Sequence, residues 1–365
     1  LVDYESIVPD DTQYDFGTEE EPVDEVHCMV CKVHDRDKSE NPDSVLCSEC
    51  REQCIHYPVP RWIWTTMAVV VVIVVFAMIS TPAAIRDFRI YRQAAEYYEN
   101  KEYNSAVHNY LTISSNRAVS MKFNEQLFLA YAKAQRFYEA FTLLDEKMAG
   151  KDASDETYDE INSYVELIDS YYYTVEKANL CCDMNDIPGS IKALEALRED
   201  PEIRDAVLLF YISQMNIYNG ELELAAAQQK EACLAEPRFT FLNAYLGNLQ
   251  RRMGDYEKSA ETYRDALTIN RDDETVLVGL GVLELLQGDD EEALKIIKKA
   301  YDLNKNGYFV AGAYAIALHT SGKTGEALMV YNDFKNSEYY DEDTSIADYL
   351  ADKVTLEDMY LGKVG

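Results

Sequence analysis

Met253-Gly254-Asp255-Tyr256-Glu257-Lys258-Ser259-Ala260 is the stretch that decides the fold, because its glycine returns as Gly220, Gly288 and Gly322 at a strict 34-residue interval. A period of that size means one helical hairpin copied along the chain, each copy burying its apolar face only against its neighbours. The glycine ends the first helix of each copy, where a left-handed backbone is least costly without a Cβ. The predicted fold is an all-α superhelical solenoid of α-α hairpins.

Aligning the copies on the glycine extends the pattern. Ala225, Ser259, Ala293 and Ala327 follow it by five residues, and Ser213, Gly247, Gly281 and Ala315 precede it by seven. Gln229, Tyr263, Ile297 and Tyr331 stand nine after it, and Ala232, Ala266, Ala300 and Phe334 twelve after it. Small residues let two helices approach closely, and large ones fill the space between hairpins. These residues resemble the tetratricopeptide repeat, with Met253 to Ala260 as its turn and second-helix start. Tyr103, Ala106 and Tyr110 fit the same slots, as do Phe137, Ala140 and Leu144, then Ile187, Ser190, Leu194 and Leu197 after 16 extra residues. The resemblance implies about seven hairpins and a terminal capping helix within a solenoid over residues 86–361. It is specific for fold and nearly silent on partner.

Acids outnumber bases 66 to 34, a net charge of −32, which argues against a nucleic-acid ligand because phosphates need a basic footprint. Residues 1–26 are acidic, without Lys or Arg, and read as a disordered tail.

Residues 62–81 carry no charge and include the run Val69 to Val75, enough at helical rise to cross about 30 Å of hydrocarbon. Trp62 and Trp64, the chain's two tryptophans, sit at one end, as interfacial anchors do. The expectation is an integral single-pass membrane protein.

Cys28-Met29-Val30-Cys31 and Cys47-Ser48-Glu49-Cys50 form two CxxC knuckles separated by fifteen residues. Each knuckle offers two thiolates, and four complete the tetrahedron of a structural zinc ion with no open position for catalysis. Cys54, His27, His34 and His56 stand nearby as substitutes, and a disulfide pair is the rival reading. Residues 27–57 resemble the small zinc ribbons that precede a transmembrane helix in many bacterial membrane proteins. That resemblance implies a bacterial plasma membrane, a cytosolic ribbon and extracytoplasmic repeats, which suits thiolate ligands in a reducing compartment. Arg86, Arg89, Arg92 and Lys101 beyond the span favour the inverse orientation by the positive-inside rule.

Asp302, Asn304, Asn306 and Gly307 copy half of a calcium loop, but Ala313 stands where the bidentate Glu belongs. No nucleotide loop, metalloprotease pair or nucleophile elbow occurs, and the chain is expected not to be an enzyme. In the repeat family the first helix of each hairpin lines a concave groove. The register then implies a peptide-binding surface of Phe210, Gln214, Tyr218, Phe241, Asn248, Arg251, Arg252, Thr275, Phe309 and His319. The expected function is a membrane-anchored scaffold or adaptor for a protein or peptide. The alternative is a transmembrane regulator whose ribbon contacts a cytosolic partner while the repeats sense a ligand. Self-association stays open.

Overall fold

Gly220, Gly254, Gly288 and Gly322 all sit at positive φ, at +80°, +84°, +82° and +76°. One pair of backbone bonds closes each of these turns: Gly254 donates to the Arg251 carbonyl at 3.0 Å and Asp255 to that of Gln250 at 2.8 Å. This is the Schellman arrangement, which satisfies carbonyls that a helix end leaves orphaned. Lys101, Gln135 and Asp352 adopt the same conformation, at φ +62°, +61° and +56°, with the equivalent bonds. None of them is glycine.

The structure, a computed structural model, describes residues 26–39, 41–55, 60–115, 119–151, 154, 156–305, 307–336 and 345–361. The acidic tail before Val26, His56, Asn306 and Thr344 lie outside the described residues. Two units partition the chain, 1–81 and 82–365.

In the first unit, α1 (Ser48–Ile55) follows an irregular segment, and α2 (Arg61–Glu99) begins and runs on past the unit boundary. Side chains from Trp62 to Met78 are exposed save the half-buried Ile63. Thr65, Thr66 and Thr81 turn their hydroxyls back to the carbonyls of Trp62, Ile63 and Ala77, at 2.7, 2.9 and 2.6 Å. These three hydroxyls are thereby satisfied within the helix.

In the second unit the end of α2 pairs with α3 (Tyr103–Ser114), and α4 (Met121–Lys133) with α5 (Phe137–Leu143). Next come α6 (Tyr158–Cys181) with α7 (Ile187–Ala196), and α8 (Asp205–Tyr218) with α9 (Leu222–Ala235). The last pairs are α10 (Thr240–Arg252) with α11 (Tyr256–Ile269), α12 (Glu274–Gln287) with α13 (Asp290–Leu303), and α14 (Tyr308–Thr320) with α15 (Thr324–Lys335). Most of the 16-residue break in register comes from α6, which runs 24 residues where α8 runs 14. Where one capping helix was expected, α16 (Ser345–Leu350) and α17 (Leu356–Tyr360) stand, because Asp352 turns the chain between them.

The small-residue slots are where helices meet. A Cβ on Gly247 or on Gly279 would lie 2.5 Å from the Tyr263 ring, which is fully buried between them. Ser259 stands where alanine is usual and is satisfied by donating to the Gly247 carbonyl at 2.7 Å.

Hairpins far apart in sequence also touch. Lys101 Nζ donates to the Thr268 carbonyl at 2.8 Å, and Arg271 N–H to the Lys101 carbonyl at 2.8 Å. The amide of Gln135 donates to the Thr240 hydroxyl, which itself donates to Asp273, while Phe241 N–H donates to Gln135 Oε1 at 3.3 Å. Asp273 in turn caps α12 through Thr275 and Val276. The first two hairpins are thus tied to the fifth and sixth.

Candidate functional site

Two places gather the candidate functional side chains, one in each unit. In the first, a tight turn brings Cys28 and Cys31 together: Lys32, at φ +52°, returns its N–H to the Cys28 carbonyl at 2.8 Å. An isolated bridge between His27 and Asp35 and bonds from Cys28 to His34 and from Met29 to Val45 fold this knuckle onto the second. Arg51 locks the assembly, with its guanidinium 2.6 Å from the Asp37 carbonyl and 3.1 Å from the Asp37 carboxylate.

All four sulfurs lie within 4.8 Å of one another, and those of Cys31 and Cys47 are 3.8 Å apart. A tetrahedral ion at Zn–S bond length needs sulfur pairs about 3.8 Å apart. A disulfide needs about 2.05 Å, and the four cysteines are free thiols. The N–H of Cys31 holds the Cys28 thiol down at about 6, and the N–H of His34 lowers that of Cys31. Cys50, sharing its proton with Cys47 and buried, is pushed up to about 12. Four sulfurs this close together are a set that could hold one metal ion, each as a thiolate. Cys54 is exposed and outside the cluster.

In the second unit the sequence-predicted groove residues divide. Phe210 and Phe241 belong to a ladder of rings from α5 to α10. Phe137 meets Tyr171 at 5.1 Å and Phe239 at 5.6 Å, Phe239 meets Phe241 at 5.4 Å, and Phe210 meets Phe241 at 5.7 Å and Tyr245 at 4.8 Å between ring centroids. Such edge and tilted contacts fill inner space with packed side chains. Gln214 buries an amide nitrogen that has no partner, and Tyr218 stands exposed at the end of α8. His319 is packed against Tyr349, with Nε2 3.2 Å from an Asp352 carboxylate oxygen.

The other five, Asn248, Arg251, Arg252, Thr275 and Phe309, line one cavity of about 570 Å³ among α10, α12 and α14. Val278, Val282, Val310 and Ile316 form apolar walls, and Tyr245 and Tyr263 add rings. Burial pushes the Glu274 carboxyl at its edge upward, and Asn304 donates to it at 2.9 Å. Met359 and Tyr360 of α17 also line this cavity. Sequence reasoning passed over both, since they follow the last repeat and carry no register.

No family model matches this chain, and no curated protein matches it. Solved structures do. TTC0263, a thermophilic TPR protein of Thermus thermophilus, shares 19% identity over 51% of this chain and 97% of its own, with TM-score 0.40. A tetratricopeptide repeat protein of Parabacteroides merdae shares 20% over 52% of this chain and 73% of its own, with TM-score 0.39. PilF of Pseudomonas aeruginosa shares 16% over 54% and 94%, with TM-score 0.40. The consecutive helix pairs of this chain, its 34-residue step and its shared turn match an all-α solenoid of the tetratricopeptide type.

Proposed function

We propose that this chain is a membrane-anchored, non-catalytic scaffold that binds a protein or peptide on the inner face of its repeats. The observation that carries the reading is the cavity among α10, α12 and α14, where apolar walls meet the paired arginines Arg251 and Arg252. Apolar area with a few convergent polar groups is the usual make-up of a recognition site. The exposed apolar stretch of α2 is long enough to cross a bilayer and supports the anchor. The four-thiol cluster supports a structural zinc ion, which would tie the two knuckles into one ribbon. Thiolate ligands favour a cytosolic ribbon and repeats on the far side of a bacterial plasma membrane.

The test is photo-crosslinking in intact cells with a photoreactive residue at Phe309, inside the cavity, or at Met329, exposed on α15. A discrete adduct from position 309 and none from position 329 is the expected result. Absence of an adduct at 309, or the same adducts from both, removes the groove reading.

A further inference from the structure

Arg251 is 4% exposed, its Nε has no hydrogen-bond partner, and it enters no ion pair among the described residues. A buried guanidinium with an unmet donor is costly, the more unusual in a chain with 66 acids for 34 bases. One turn earlier on the same helix, Asn248 Oδ1 also lacks a partner. Both side chains face the 570 Å³ cavity, whose walls are otherwise largely apolar. The site is built for an anion attached to an apolar or aromatic body.

The chain's own end covers this site incompletely. Ile346 of α16 fills the space over Gly312, where a Cβ would lie 2.6 Å from it, and the hydroxyls of Tyr349 and Thr320 meet at 2.8 Å. The turn at Asp352 then sends α17 back, and the Tyr360 ring lies 5.6 Å from the Arg251 guanidinium carbon. That places a cation over a ring. The acids of α17 do not follow: Glu357 and Asp358 are exposed, and Asp358 is engaged by Thr355 in a capping box. A five-residue helix is far below the length that sustains itself in water, roughly 12 residues, so α17 holds its place only by docking.

We infer that α17 is an exchangeable occupant, displaced by a linear acidic peptide segment carrying an aromatic residue. The incoming ring takes the position of Tyr360, and a neighbouring carboxylate pairs with Arg251, which α17 leaves unsatisfied. Carboxylate and guanidinium make charge-assisted bonds roughly twice as strong as neutral ones. The inference rests on the groove-binding reading above and names its partner class.

The experiment uses the full chain in detergent with a fluorescein-labelled peptide, Leu-Glu-Asp-Met-Tyr-Glu-Glu, and its amide counterpart in which Gln and Asn replace the acids. Anisotropy titrations compare the wild type, Tyr360→Ala, and Tyr360→Ala combined with Arg251→Met or Arg251→Lys. Removing the internal competitor should tighten acidic-peptide binding about tenfold or more. Arg251→Met should abolish that gain, Arg251→Lys should keep part of it, and the amide peptide should bind at least about tenfold more weakly. Equal affinity of wild type and Tyr360→Ala for the acidic peptide overturns the inference. So does equal affinity for the two peptides, which leaves the groove reading standing. If no chain binds any member of a broad peptide array, the groove reading falls as well.

Discussion

Asp272 caps a helix far before it in the chain: its carboxylate accepts the N–H of Asn104, 168 residues earlier, at 3.1 Å and that of Ser105 at 2.7 Å. Helix α3 has no cap from its own Glu102. A donor pair at a helix start needs an acceptor, and the loop between the fifth and sixth hairpins supplies it. Asn104 completes the joint by donating its side-chain amide to the Asp272 carbonyl at 3.1 Å. Lys299, on α13, adds an ion pair to Glu102 at 3.7 Å.

Replacing this residue, Asp272→Ala, leaves the buried Asn104 N–H and the half-buried Ser105 N–H without an acceptor and should cost about 1–3 kcal/mol. Hydrogen exchange read by mass spectrometry should report faster exchange at Asn104 and Ser105, far from the substitution in sequence. Unchanged exchange there would show that the joint contributes nothing in solution.

Burial pushes the carboxyls of Asp272, Asp273 and Glu274 upward. A raised folded-state value means that the folded chain holds more protons than the unfolded one between the ordinary and raised values. Stability contributed there therefore grows as pH falls through that window toward the ordinary carboxylate range. Glu236 opposes this trend below the ordinary range. Burial pushes its carboxyl up, but Arg238 and Arg204 outweigh burial and hold it low, so its contribution is lost in acid. The thermal midpoint of the repeats should accordingly be higher near pH 5 than at pH 7, and Asp272→Asn with Glu274→Gln should flatten the rise. A midpoint that falls steadily from pH 7 would contradict it, and a rise that survives in the double variant would assign it to relief of general charge repulsion.

Lys101 and Gln135 occupy turn positions that glycine holds elsewhere, at an expected backbone cost of roughly 1 kcal/mol each. Their side chains explain the difference, and unequally. Lys101 makes one exposed bond to Thr268, whereas Gln135 bonds both Thr240 and Phe241. Lys101→Gly should therefore be neutral or stabilising, and Gln135→Gly destabilising by about 1–2 kcal/mol. Urea unfolding of the two variants decides the matter. The same sign for both would mean that the distant contacts do not govern these turns.

The four-thiol cluster should carry one zinc ion in the purified chain. Cobalt exchanged into it should show the intense visible bands of a tetrahedral thiolate site, and Cys47→Ser should lose them. Metal analysis showing no zinc, with all four thiols slow to alkylate under strong chelation, would dispose of the assignment.

Much of the repeat geometry was open to reading because it is local. A glycine at each helix end, a small residue where helices touch and a ring between hairpins all follow from neighbours at a constant spacing. Relations that jump across hairpins left only faint marks. Two aspartates precede α12, and a helix start needs one: Asp273 serves it, and the surplus Asp272 was the trace of a partner elsewhere. The repeat register implies an inner face that is open throughout. Phe210 and Phe241 instead close a ring ladder, since aromatic side chains from α5 and α6 reach the same space. The docking of Tyr360 had no periodic signal at all, because α17 lies beyond the last copy.

The joint at Asp272 also bears on how the chain responds to force. An open helical spring lengthens gradually, with each coil parting from the next at low tension. One clipped between an early and a late coil stays short until the clip yields, then extends in a single step. If the proposed anchor and partner hold its two ends, this chain would behave as a catch with a threshold rather than as a soft tether.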